Sequence, residues 1–475
     1  MNERSDVNPG RDASYSPRVR TALVLCGAGT AGAYQAGVLR ALTEAGVKLD
    51  VVAGHGPGAG NALCAAIDGS ARLWDADGPW MSAGLHGAYR WRGALRVFFV
   101  GLIATAILLV SPLLVLVAAA VTYATGLALA LINLTDASAT VVSVYQRMIE
   151  LLFNPPVLPT ILPRAMLLTL LVVVSVLVVS AVRAATEERS RRRFAGGVWW
   201  RLLGAPLGAD EPGHSLSQAL WTLVRGASST PVPKGEDVGR RYVEVLTDNL
   251  GQPGFREVLV AVHDVDSRRD LIGAILAPQA RGRFEARRST GGPREAEIVD
   301  FSGPQRNLAL DFLLGALRVP IANAPWPVQF PADGYWRGEL HHVCDRPELP
   351  IRLLEEISAI GVDQVVLVSP APGPSAPHTL RARPAAFRTR LGSDVRSIET
   401  AAFDDACAVA AARFSGVFVI RPDHNPIGPF DFSGVYDDAS DRQCHIAELM
   451  QQGYDDAYRS FIEPVVAAGE RLVEI

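Results

Sequence analysis

Two glycine-rich turns, each just after a short apolar run, are the first candidates for chemistry. Gly27-Ala28-Gly29-Thr30-Ala31-Gly32 follows Thr21–Cys26, and Gly54-His55-Gly56-Pro57-Gly58 follows Asp50–Ala53. Between a strand and a helix, such a turn aims backbone N–H groups at one spot. There they can hold a phosphate or the oxyanion of an acyl transfer. Read as Gly-x-Gly-x-x-Gly, the first turn fits a dinucleotide fingerprint. That reading needs an acid at the end of the second strand to hold the ribose. Asp50 has the spacing but precedes Val51-Val52-Ala53, so it stands at the strand's start. A Rossmann-like dinucleotide-binding membrane protein is therefore only the second alternative. Asp437, Asp438 and Asp441 match no calcium-loop spacing, and His341-His342 have no third ligand nearby. Cys26, Cys64, Cys344, Cys407 and Cys444 are odd in number and widely spaced, which fits reduced thiols rather than a disulfide or zinc framework. No metal and no cofactor are expected.

The turns must be carried by a scaffold. Thr21–Cys26, Asp50–Ala53, Val258–His263 and Gln364–Ser369 read as short buried strands, and Ala33–Ala45 and Leu353–Ile360 as helices. That alternation predicts an α/β domain with a largely parallel central sheet. Hydrophobic residues make up 49% of the 475 residues, and the excess is local. No charge occurs from Val97 to Ile132 or from Ala165 to Val182. As helices these runs are roughly 54 Å and 27 Å long, and a bilayer core is about 30 Å thick. Two spans, about 97–125 and 164–183, are predicted, with the first tilted, kinked near Pro112 or extending beyond the lipid. Arg90, Arg92 and Arg96 precede the first span, and Arg183, Arg189, Arg191, Arg192 and Arg193 follow the second. By the positive-inside rule both flanks face the cytoplasm. A net charge of −4 without a basic stripe argues against nucleic acid as a partner.

The stretch from Thr21 to Leu42, with its glycine loop and following helix, resembles the opening of a patatin-like phospholipase. The resemblance continues in Phe255–Asp266, Leu317–Val328, Pro331-Ala-Asp-Gly-Tyr-Trp336 and Val365–Pro370. It covers about residues 20 to 70 and 245 to 370, and implies a patatin-like three-layer α/β domain interrupted by a two-helix transmembrane insertion. It also assigns roles. Gly27, Ala28, Gly29 and Gly32 form the oxyanion loop; Gly54, His55, Pro57 and Gly58 frame the elbow. Gly56 occupies the nucleophile position, where relatives carry serine, and Asp333 is the dyad acid position. Ala28 and Ala31 replace a glycine and a basic residue common in the family loop.

Without a serine there is no hydroxyl to attack an ester, and Pro57 has no N–H to donate. His55 beside a turn reads as structural. The expected protein is a membrane-anchored member of the lipid acyl hydrolase lineage, a pseudoenzyme binding lipid or acyl chains or scaffolding at the membrane. Its globular domain faces the cytoplasm, and its protein partners are not legible. The alternative is a genuine hydrolase using a non-standard nucleophile or an Asp333-activated water. Segment boundaries are expected at 1–18 (disordered tail), 19–85 (first half of the domain), 90–193 (membrane insertion), 194–244 (connector), 245–371 (second half) and 372–475 (helical extension).

Overall fold

Aliphatic runs too short for helices and ended by glycine, proline or polar residues build the sheet in the computed structural model. It describes residues 15–465 except 68–69, 76, 83–84, 86, 154–160, 188–203, 227–230, 234, 288–293, 377–383 and 385. The chain forms two compact units, residues 1–90 with 207–475, and residues 91–206.

In the larger unit, β1 (Thr21–Leu25) leads through the first glycine turn into α1 (Ala31–Glu44). Next, β2 (Val51–Gly54) leads through the second into α2 (Pro57–Ala66). Strands β3 (Glu257–Asp264), β4 (Arg269–Ile275) and β5 (Ile298–Asp300) extend the sheet on one side. A hairpin of β6 (Trp326–Gln329) and β7 (Leu340–Cys344) joins β3, and β8 (Gln364–Val368) and β9 (Gly416–Ile420) complete the other side. The order is β5-β4-β3-β2-β1-β8-β9. The pairs β1–β2, β1–β8, β2–β3, β4–β5 and β8–β9 are parallel; β3–β4, β3–β7 and β6–β7 are antiparallel. This is the largely parallel sheet expected from the sequence. Helices cover both faces, which is why β1, β2 and β8 are buried along their whole length. Ala22, Val24, Val51, Ala53, Leu259 and Ala261 pack with Leu353, Ile357, Phe403 and Ala406 in the main core.

Tyr15 is held in place: its hydroxyl donates to Lys48 O at 3.1 Å, and its ring packs edge-on against Phe418 and Phe461. At the other end helical backbone passes Pro464 to residue 465, the last one described. A π turn at Tyr458–Ile462 widens the helix just before the proline, whose ring would otherwise crowd the preceding turn.

The smaller unit is helical. Gly93–Leu131 is one helix, α3, of 39 residues, roughly 58 Å long. It passes Pro112 without ending, because Ser111 Oγ donates at 2.6 Å to Leu108 O, the acceptor that the proline nitrogen cannot serve. Two apolar stretches lie in tandem in it, Gly93–Ser111 and Leu113–Leu131, with mean hydropathy 2.3 and 2.2. The chain turns at Asn133, in the left-handed region at φ 60°, and α4 (Thr135–Phe153) folds back on the far half of α3. Ser138 Oγ donates to Gly126 O and Tyr145 OH to Val115 O, both at 2.8 Å. Helix α5 (Ile161–Glu187), with its apolar stretch Arg164–Val179, lies against the near half, where Val173 meets Gly101. The arginine cluster 189–193 and Pro155, Pro156 and Pro159 lie outside the described residues.

Each unit brings its own ends together. Gly208 N donates to Arg90 O, and Arg92 N to Pro206 O, both at 3.0 Å.

Candidate functional site: a closed glycine loop

The elbow lies at the carboxyl ends of β1 and β2. Gly56 caps α2 with φ 56° and ψ −142°, a conformation that costs glycine little and strains any other residue. A Cβ built there would fall 2.5 Å from Gly27 O and 3.0 Å from Asp345 Oδ2. A serine at this position would therefore face a carboxylate across a crowded gap, so the backbone would have to yield first. Pro57 opens α2, so the amide after the elbow is missing, as the sequence implies.

The carboxylate facing Gly56 is that of Asp345, just after β7. Asp333 lies elsewhere, exposed in the turn joining β6 and β7. There Phe330 N donates to Glu339 O at 3.1 Å, and Gly334 N and Gly338 N donate to Pro331 O at 3.2 and 3.1 Å. Pro331-Ala-Asp-Gly thus acts as turn chemistry. Asp345 had one signal in the sequence: it ends the run His341–Cys344 and precedes the proline-led helix Leu349–Ala359.

His55 joins elbow and loop. Fully buried, it bonds through Nδ1 to Asp345 Oδ1 at 2.8 Å, while Nε2 accepts from Gly27 N–H at 3.3 Å. This pattern places the proton of the neutral ring on Nδ1. Burial opposes the charged imidazole, but the Asp345 carboxylate and, more weakly, Glu399 hold its pKa above the ordinary value.

The amides of Ala28 and Thr30 are engaged as well. Ala28 N–H donates to the carboxylate of Glu399, which projects from the helix Phe387–Arg413 and is itself buried. Burial, with Asp345 nearby, pushes Glu399 up to about 7, against the pull of His55, Arg396 and the Ala28 amide. Thr30 N donates to Pro429 O at 3.0 Å, and Thr30 Oγ1 to Gly428 O at 2.9 Å. A Cβ on Gly29 would lie 1.8 Å from Pro429 O, so only glycine lets this crossing segment approach. Arg396 holds the segment from below, donating to Asn425 O at 2.7 Å and also to Ile427 O. Gly32 lies in the first turn of α1 against the Trp80 ring. That indole donates to Asn61 Oδ1 at 2.8 Å, and Asn61 donates to Gly32 O and Gln35 Oε1. A buried carboxyl group therefore lies against the loop. Glu399 and Pro429 had no local signal, since nothing in a helix or a proline loop announces a partner some 370 to 400 residues away.

The other candidates are structural. Asp50 accepts from Thr21 N at 2.9 Å at the far edge of the sheet, away from the loop, which removes the ribose acid. His341 pairs with Asp264 at 2.5 Å and His342 with Asp266 at 2.9 Å, while Asp437 binds His424 and Ser440. Among the described residues no group of three such side chains could hold a metal ion. All five cysteines are free, four of them buried.

A strand, glycine loop and helix followed by a strand, elbow and helix, on a mostly parallel sheet covered on both faces, define the class: an α/β protein with two glycine-rich turns at the carboxyl ends of its central strands. The family model described as patatin-like phospholipase matches residues 23–119. That match covers the glycine loop, the elbow and the first part of α3, so this stretch of the chain is similar to the patatin-like phospholipase family. Comparison with curated proteins finds no match. Among solved structures, the crystal structure of VipD from Legionella pneumophila aligns with 94% of this chain and 67% of its own, at 12% identity and a TM-score of 0.30. So slight a similarity says nothing about what this chain does.

Proposed function

We propose that this is a membrane-anchored patatin-like pseudoenzyme that works as a scaffold at the lipid surface. The observation that carries the reading is the occupied centre: Gly56 has no nucleophile and no room for one, and Glu399 takes the Ala28 amide. A chain that sets its own carboxyl group against this loop has little use for an ester there. The reading favours scaffolding over presentation of an acyl chain in the old pocket.

Anchoring rests on unit 91–206. The two apolar stretches of α3 are each long enough to span a bilayer and only 6% buried, and the shorter apolar stretch Arg164–Val179 of α5 lies beside the first. A soluble core helix of that length would be covered. The two ends of the insertion meet, so the chain leaves and re-enters on one side, as an even number of spans requires. The flanking arginines favour the cytoplasmic side.

The test is fatty-acid release from phospholipid vesicles by full-length protein, with Asp345→Asn and Gly56→Ser alongside. No release is expected from any of the three, and no labelling of the wild type by a fluorophosphonate. Gly56→Ser is expected to lose roughly 1–3 kcal/mol of stability, because its side chain meets Gly27 O. Wild-type release that vanishes in Asp345→Asn would overturn the pseudoenzyme reading. Anchoring is checked separately by resistance to alkaline carbonate extraction.

A further inference from the structure

Within the smaller unit, α4 and then α5 run back along α3, and charged side chains fall where one gives way to the other. Tyr145 OH on Val115 O sets the last turns of α4 beside the middle of α3, and Val173 against Gly101 sets α5 along the near half. Counted from these contacts along the helices, Arg147, Glu150 and Arg164 all come level with about residues 110 to 113 of α3. All three are exposed. The apolar stretch Gly93–Ser111 ends at the same level, with exposed Arg92 and Arg96 at its other end. It is about 28 Å long, and a bilayer core is about 30 Å thick. Charges resist the lipid interior and collect at its edges, so the two belts mark where the lipid begins and ends.

The far half of α3, Leu113–Leu131, then stands beyond the lipid with α4 folded back on it. One side of it is covered: Val115, Thr122 and Gly126 face α4. On the opposite side Leu113, Val117, Ala120, Ala124, Leu127 and Leu131 are exposed, the leucines and the valine by 55–78%. Their spacing alternates four and three residues, the seam of a coiled coil, and the two central alanines let another backbone come close. Such a seam is not left to water.

We propose that the far half of α3 and α4 project beyond the bilayer and pair, seam to seam, with the same hairpin of a second copy of this chain. Both copies enter the membrane in the same direction. Their seams therefore run parallel about a two-fold axis along the membrane normal, and each seam residue meets its own counterpart. The inference rests on the membrane-anchor reading.

The experiment uses full-length protein, sparse in vesicles of phosphatidylethanolamine and phosphatidylglycerol, in a Cys407→Ser background because that thiol is partly exposed. Single cysteines are oxidised with copper phenanthroline. Val117→Cys and Ala124→Cys are expected to shift from the mass of one chain to that of two. Leu114→Cys, 56% exposed but about a quarter turn from the seam, stays at one. In vesicles made leaky so that both faces are reached, a water-soluble maleimide is expected to label Ser143→Cys on α4 and to leave Ile107→Cys in the near half unlabelled. No dimer at 117 and 124, or as much at 114, overturns the pairing. An unlabelled Ser143→Cys in vesicles from which the protein resists carbonate puts the hairpin in lipid; that too overturns the proposal and leaves the anchor standing. Extraction by carbonate removes the anchor reading and the pairing with it.

Discussion

The glycine-loop centre and the helical insertion treat their surfaces in opposite ways. At the centre, the polar groups find partners within the chain: Gly27 N–H has His55, Ala28 N–H has Glu399, and Thr30 N–H has Pro429 O. In the insertion, Leu109, Leu116, Leu131 and Leu171 are each at least 67% exposed, with no protein over them. The contrast teaches where to look for partners. Polar groups paired within the chain need nothing from outside, whereas an uncovered apolar surface is where a partner is to be sought.

Removing the insertion should break the comparison most completely. Replacing residues 91–206 by a short Gly/Ser turn joins ends that already meet. The remaining unit is expected to elute as a folded species without detergent in size-exclusion chromatography, while the full chain requires detergent. Aggregation of the trimmed protein would mean that the helices support the globular core.

At the centre, His55→Ala leaves the buried Asp345 carboxylate without its partner. Breaking one side of a buried pair typically costs about 3–5 kcal/mol. The urea midpoint should fall accordingly, and an unchanged midpoint would show that the centre is not the tightly coupled cluster described.

The smallest effect sharpens rather than breaks the contrast. Glu399 titrates near 7 in the fold, above the ordinary carboxylate value, so the folded state holds its proton more tightly than the unfolded chain. Its contribution is complete below about pH 4.5 and is lost as pH rises through about 7. Wild-type stability should decline across that window, by about 3 kcal/mol. Glu399→Gln, which keeps an acceptor for Ala28 N–H, should remove that part of the decline. Parallel pH profiles in urea titrations would show that Glu399 is not the titrating group.

Much of the fold was legible because its signals are local. The aliphatic runs at 21–26, 50–53, 258–263 and 364–369 became β1, β2, β3 and β8, shifted by a residue or two at their ends. The glycine turns took their places between strand and helix. The carboxylate beside Gly56 was not legible. Asp333-Gly334 looked like a motif, yet Asp-Gly between two strands is also the chemistry of a turn. Asp345 sat in the less conspicuous Cys344-Asp345-Arg346. The way the centre closes was hidden too, because its parts come from the extension beyond residue 372.

The sequence by itself determined what is missing and what is apolar: no hydroxyl at 56, no N–H at 57, and charge-free runs long enough for a bilayer. These are properties of single residues and of helical rise, and no folding can alter them. Tertiary structure decided which carboxylate faces the elbow and which distant segments close over the glycine loop. Each depends on register and packing between segments far apart in the chain. There Asp345 reaches His55 across 290 positions, and Glu399 reaches Ala28 from the other end of the domain.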